Sequence, residues 1–396
     1  MYTNIFFKFI TILIAICGGE DMHKVDRYKS ALGIIFAVAL TSSSSQTFAQ
    51  SVTVPEGYPA IYAQTLSQAD KEGSVVIYAN TENAAVEPVL ADFRKAYSKI
   101  KVDYIEIKAA DLYSRVSSEA AAGALKADIV WSSAMDLQYQ MIQADLSAEY
   151  ETPELGNIPT WAEYNKRLYG ITFEPVVFVY NDKLVKTEEM PKTRAGLAKF
   201  LTENKDRFKG KVTTYDPQRS GLGFFAVSHD AKINDDLWDL VKAFGATETK
   251  FYTSTGTMLE KISAGEHAIA YNIIGPYAYL RAARDPNVKL IIPEDFTLIL
   301  TRSAYITKNA PHPNAARVFL DYLLSKRGQN IIANEANLFS IRADVDGNAT
   351  ASKLTAEYGS HLKPVEVNEK LADDLVPVKR LTFFRKWDEN LKAGKK

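Results

Sequence analysis

Cysteine is all but missing from this chain, with Cys17 the only one in 396 residues. A single thiol forms neither an intrachain disulfide nor a thiolate metal centre. Histidine is nearly as sparse: beyond His23 near the start, His229, His267, His312 and His361 stand far apart, none at the spacing of a paired metal ligand. The sequence contains no H-E-x-x-H, G-x-S-x-G or C-x-x-C, and it lacks the full Rossmann and Walker patterns. Ser98 to Lys101 matches S-x-x-K, but the companion motifs of the acyl enzymes that use it are missing. An excess of one charge is lacking too. With 47 basic and 48 acidic residues and no long block of either sign, nothing calls for a nucleic-acid partner.

Long apolar runs are also absent. Ile5 to Cys17 is stopped by Gly18 to Asp21, and Ala31 to Leu40 is shorter still; both fall below the ~20 apolar residues of a membrane-spanning helix. The second run has a basic start, Met22 to Lys29, and a polar end, Thr41 to Ala49, with small residues at Thr47 and Ala49. This is the three-part layout of a secretory signal. The expectation is a signal region over 1–49, with Met22 as the true start and cleavage near Ala49; the alternative is a two-helix membrane anchor. Ile16 before Cys17 speaks against lipidation, because that cut needs a small residue there.

What is present centres on Tyr169 to Leu184. Ile171 to Tyr180 is β-branched and aromatic and stops at the turn pair Asn181 and Asp182. Pro175 has no N–H for a ladder, so one central strand is excluded and two half-strands with a break at Glu174 and Pro175 are predicted. Upstream, strands at Ser74–Ala79, Val102–Ile107 and Ala127–Trp131 alternate with helices, including Asp111–Ala122 and Met135–Ala144. A helix before them should turn Ile61, Leu66 and Ala69 to one side. Downstream come a helix from Pro191, strands at Lys211–Tyr215, His267–Asn272 and Val288–Ile292, and helices between them. Thr301–Thr307 reads as a return crossing, Pro313–Leu324 as a helix, and Leu371–Leu391 as one amphipathic segment. Such alternation predicts βαβ units and parallel strands. The fold class expected is α/β, two αβ lobes joined by hinge crossings at about 172–176 and 300–304. Lobe 1 would span 51–172, lobe 2 173–301, and 302–396 would return to lobe 1 with C-terminal helices packing across the lobes.

In such sheets the loops after the strands form the binding edge. Thr81 and Glu82 follow one strand and Ser132 and Ser133 another; these are helix caps, ligand contacts or both. Asp216 to Gly223 ends a strand in a turn rich in Ser and Gly before a helix. Free N–H groups there, at Ser220 and Gly221, and the planar fork of Arg219 suit an anion; a plain strand–helix turn is the alternative. Asn272, Gly275 and Tyr277 lie at the opposite side of the same lobe, where Gly275 permits close approach and Tyr277 either stacks on a ligand or packs in the core. Glu174 and Arg302 flank the crossings.

Five segments together, Ala127–Gln138, Phe173–Asn181, Asp216–Gly221, Gly265–Asn272 and Ala310–Ser325, resemble the periplasmic solute-binding proteins of ABC importers. The group in question includes ferric-iron, phosphonate and sugar-phosphate binders. The resemblance implies two lobes closing on a ligand by hinge motion. It implies no enzymatic activity, a monomer in the periplasm, and an inner-membrane ABC permease as partner; no cofactor and no metal site are expected. Ferric binders of the group carry two adjacent tyrosines. Counted from Gly265 and Glu266, that pair falls on Gly275 and Pro276, which supply no phenolate. The ligand expected is therefore a small anionic solute, a phosphorylated or phosphonate compound. The alternatives are a ferric-iron-binding protein and, from another class, a secreted hydrolase or transferase acting on phosphate esters.

Overall fold

The β-branched runs form the strands, and the apolar residues spaced three and four apart form the helices that cover them. The computed structural model describes residues 53–396; the expected signal region, Met22, Ala49 and Cys17 lie outside the described residues. The strands in chain order are β1 (Ser74–Ala79), β2 (Lys101–Glu106), β3 (Ile129–Ser132), β4 (Glu163–Tyr164), β5 (Leu168–Gly170), β6 (Glu174–Asn181), β7 (Val212–Tyr215), β8 (Lys250–Tyr252), β9 (Ile269–Ile274), β10 (Val288–Ile291), β11 (Thr297–Leu300), β12 (Ser303–Ile306) and β13 (Leu362–Pro364). They form two sheets. The first has the order β2-β1-β3-β12-β5-β4, and the second β13-β11-β6-β9-β7-β8 with β10 also paired to β6. β1 runs parallel to β2 and β3, and β7 parallel to β8 and β9, as βαβ units require.

Each sheet is the floor of one lobe. In the first, helix Asn83–Ala96 buries Val86, Val89, Leu90 and Phe93, and helix Ala109–Ala121 buries Leu112 and Val116. The opening helix, Tyr62–Glu72, buries Tyr62, Leu66 and Ala69, whereas Ile61 is 62% exposed. Tyr62 takes the inward position because its hydroxyl donates to the buried Asp321 carboxylate at 2.7 Å. An apolar cluster runs from Tyr78, Val130 and Tyr305 of the first sheet to Val176, Ile274 and Leu298 of the second. A second cluster fills the far side of lobe 2, with Phe178, Leu197, Val241 and Trp387.

The chain changes sheets between β5 and β6, again between β11 and β12, and a third time between β12 and β13. The first change occurs over Ile171–Phe173, a little before the expected Glu174–Pro175 break. Pro175 is the second residue of β6, and near a strand's start a missing N–H is tolerated. The return occupies only Thr301 and Arg302, because Ser303–Ile306 is already β12. β11 was not anticipated: only the crossing at Thr301–Thr307 was read, and residues 297–306 carry no Gly or Pro to mark the change.

The predicted Leu371–Leu391 segment is two elements, a 3-10 turn at Glu369–Leu375 and a helix at Pro377–Gly394 with proline at its start. That helix lies on helix Leu237–Ala246 and buries Trp387. The two backbones nearly touch: a Cβ on Gly245 would sit 2.1 Å from the Leu391 carbonyl oxygen. Neither backbone can give at that point, so Gly245→Ala should cost about 1–3 kcal/mol, the range of overpacked cores. Urea unfolding followed by tryptophan fluorescence would measure it; an unchanged midpoint would show that the helix can shift without loss.

Candidate functional site

Where the two crossings run side by side, they are stitched by their own backbone. Ile171 N–H donates to the Arg302 carbonyl at 2.8 Å, Arg302 N–H to Thr172 Oγ1 at 2.8 Å and Thr172 N–H to Thr301 Oγ1 at 3.2 Å. The Arg302 side chain, 2% exposed, then reaches into both lobes. Its Nε donates to Glu174 Oε1 at 2.7 Å, its Nη1 to Thr81 Oγ1 at 2.9 Å and its Nη2 to the Tyr277 hydroxyl at 3.2 Å. Glu174 Oε1 also accepts from Thr172 Oγ1 at 2.8 Å. Burial pulls the guanidinium pKa down, but the Glu174 charge and Tyr277 outweigh it, so Arg302 stays charged. Burial pushes the Tyr277 hydroxyl up; Arg302 works against that shift, while Glu174 and Glu82 add to it. Tyr277 therefore keeps its proton.

Four of the residues expected at the site, Thr81, Glu174, Tyr277 and Arg302, are thus brought into direct contact, and Glu82 faces them as an exposed cap residue. Ser132 and Ser133 form a separate knot. Ser132 Oγ accepts from Ala134 N–H at 3.2 Å. Ser133 receives a hydrogen bond on its Oγ from Asn80 Nδ2 at 2.9 Å and returns one from its N–H to Asn80 Oδ1 at 3.0 Å. The loops after β1 and β3 are bound to each other.

In lobe 2, Ser220 is a true cap, its Oγ accepting from Gly223 N–H at 3.1 Å. Asp216 Oδ1 accepts from the N–H groups of Gln218 and Arg219 at 2.9 and 3.2 Å, which occupies two of the donors the turn would offer an anion. The Arg219 side chain is exposed and has no acidic partner among the described residues, and the space beside Gly221 is open. Gly275 does permit a close approach, but to Pro175: a Cβ there would lie 2.6 Å from the Pro175 carbonyl oxygen. Asn272 points into the lobe, where its Nδ2 donates to Asp230 at 2.8 Å. It shares that carboxylate with Arg194 and Tyr271, all of them buried.

Sequence reasoning missed Thr172, Tyr104 and Tyr215. Thr172 carries a usable signal, since residues two apart in extended chain face the same way and Glu174 was singled out. Tyr104 donates to the Thr81 carbonyl at 2.6 Å, and Tyr215 lies within electrostatic range of Tyr277, Arg302 and Glu174; neither is marked by any local motif. Among the described residues, no group of three or more His, Cys, Asp or Glu side chains is placed to hold a metal ion.

Two outcomes follow from this geometry. Glu174→Ala leaves Arg302 buried without its counter-charge and should cost about 3–5 kcal/mol; adding Arg302→Met should recover part of that loss in chemical denaturation, and no recovery would show that charge compensation is not the cause. Asp136, in the first turn of helix Met135–Gln143, is held up at about 6 by burial. The folded chain binds that proton more tightly than the unfolded chain, so the contribution of Asp136 to stability is fully present below pH 4 and is lost as pH rises through about 6. Asp136→Asn should therefore melt a few degrees above the wild type at pH 7.5 and level with it at pH 4; equal melting at both would sink the assignment.

Comparison with known proteins agrees with this architecture. The family described as bacterial extracellular solute-binding protein matches residues 89–357. The crystal structure of the substrate binding protein of an ABC transporter from Agrobacterium tumefaciens is 34% identical, covers 80% of this chain and 94% of its own, and superposes with a TM-score of 0.76. Two structures below 25% identity share the fold. Iron-bound HitA from Pseudomonas aeruginosa is 21% identical over 79% of this chain and 99% of its own, with a TM-score of 0.64. AfuA from Actinobacillus pleuropneumoniae, with exogenous fructose-6-phosphate bound, is 19% identical over 81% and 99%, with a TM-score of 0.66. With the match covering most of the chain and the two-lobed α/β fold in common, this protein belongs to the bacterial extracellular solute-binding protein family.

Proposed function

We propose that this protein is the periplasmic substrate-binding component of an ABC importer, and that it captures a small anion, a phosphate ester or phosphonate first, for an inner-membrane permease. The delivery role is supported by the Agrobacterium relative, which is described as the substrate binding protein of an ABC transporter. The enzymatic alternative, a hydrolase or transferase, is set aside because the family consists of binding proteins.

The observation that carries the ligand class is Arg219. It is an exposed guanidinium on a strand–helix turn, without an acidic partner among the described residues, beside the open start of helix Gly221–Ile233. A guanidinium fork matches the paired oxygens of phosphate, and a helix start adds N–H donors and a favourable dipole. Tyr277 complements it. Its oxygen accepts from Arg302, so its own proton is free to donate to a ligand oxygen. Ferric iron fits these groups less well. A cation beside Tyr277 would meet the Arg302 charge, Gly275 and Pro276 offer no phenolate, and Tyr271 is already engaged by Arg194 and Asp230. HitA with iron and AfuA with fructose-6-phosphate show that this fold is found with a metal ion and with a sugar phosphate.

A thermal-shift panel of sugar phosphates, glycerol phosphates, phosphonates, di- and tricarboxylates, free sugars and ferric citrate tests the proposal. Ligand at ~1,000 times its Kd adds about 4 kcal/mol and raises Tm by a few degrees or more. The expected result is a shift confined to phosphorylated compounds and lost in Arg219→Ala. A shift with ferric ion alone, surviving that substitution, would overturn it.

A further inference from the structure

The two crossings are not the only ties between the lobes. At β13 the chain has come back to lobe 2, where Val365 N–H donates to the Ile299 carbonyl at 2.9 Å. Two residues later Val367 N–H donates to the Trp161 carbonyl, in lobe 1, at 2.8 Å. Asn368 caps the 3-10 turn, and Leu371, 1% exposed, packs in the cluster that holds Met135, Tyr139 and Ile142 of helix Met135–Gln143. Three residues on, the Asp374 carboxylate turns back to lobe 2. Its Oδ2 accepts from Ser228 Oγ at 3.0 Å and from Lys232 Nζ at 2.9 Å, with His229 Nδ1 at 3.5 Å, all on helix Gly221–Ile233. Helix Pro377–Gly394 then runs out over lobe 2.

We propose that residues 365–376 are a strap holding the lobes in the arrangement seen here, with Asp374 as its latch. The segment is anchored in lobe 1 by backbone and by a buried leucine. Its hold on helix Gly221–Ile233 is a single carboxylate on side-chain donors, one of which, Lys232, is 42% exposed. When the lobes separate, one attachment must release. Stripping Leu371 from its apolar cluster exposes hydrocarbon, whereas Asp374 and Lys232 trade their bonds for water. The latch is thus the end that lets go. Both helices it spans begin at the binding edge, one directly after Ser132–Ser133 and the other after Ser220. The strap therefore also walls one flank of the space between them.

The test needs no solute, so its outcome is separate from that of the anion proposal. Spin labels are placed on cysteines introduced at the exposed Lys95 of lobe 1 and Lys205 of lobe 2, in a Cys17→Ser background, and the inter-label distance distribution is recorded. Asp374→Ala should raise the long-distance population of the free protein at least threefold. Lys232→Ala, a surface change that leaves the core intact, should do the same more weakly, and the double variant should add little to Asp374→Ala. The exchanged pair Asp374→Lys with Lys232→Asp should restore the short distance. Distributions unchanged in both single variants, with native melting curves, would overturn the proposal; so would full additivity of the two substitutions.

Discussion

One guanidinium, that of Arg302, sits where the chain changes sheets for the second time, and its hydrogen bonds decide how the halves of the molecule meet. It touches the other crossing through Glu174, lobe 1 through Thr81 and lobe 2 through Tyr277. An ion pair at this depth adds little net stability, because desolvating both charges offsets most of their attraction. What it supplies is uniqueness of arrangement. A misplaced crossing would leave a buried charge unpaired, and that penalty exceeds any gain from apolar contacts nearby. Lobe 2 holds a second buried arginine on the same terms, with Arg194 bound by Asp230, Asp295 and Tyr271.

The electrostatic character of the space between the lobes follows. Arg302 is neutralised by Glu174, and the Asp216 carboxylate caps the turn that carries Arg219. On the proposed function, hydroxyl groups, the exposed Arg219 guanidinium and the exposed Glu82 carboxylate would set the chemistry of that space, which suits a ligand recognised by oriented hydrogen bonds with a charge-assisted contact.

Much of this was legible in the residues themselves. Period-2 and helical spacings marked the parallel strands of both lobes, whereas the break expected at Pro175 is not there: Pro175 lies within β6, a strand paired on both sides, and the change of sheet comes before it. Glu174 and Arg302, charged residues inside an apolar run, were visible as exceptions. Other features were hidden because no local pattern encodes them. β11 and β12 change sheets without a Gly or Pro. Asn272 reads as a polar residue at a strand end, yet a backbone at φ 58° and a register shift opposite it turn its side chain toward Asp230. The helix that starts at Pro313 is capped from outside by Glu72, which accepts from the N–H groups of Asn314 and Ala315. Long-range partners of that kind lie beyond any window of sequence.

The reciprocal bonds between Asn80 and Ser133 have a thermodynamic consequence. They join the loops after β1 and β3 into one rigid jaw, whose conformational entropy is already lost in the free protein. On the proposed function, a solute arriving there would have no loop to order, and the cost of binding on that side would be confined to its own immobilisation. In lobe 2 the Arg219 turn is tied to its neighbours, with Asp216 N–H donating to the Tyr252 carbonyl at 2.8 Å and Gln218 Nε2 to Asp388 Oδ1 at 3.2 Å, while the Arg219 side chain stays exposed. On the proposed function, adaptation to different solutes would fall to that side chain, with lobe 1 serving as the fixed gauge against which they are measured.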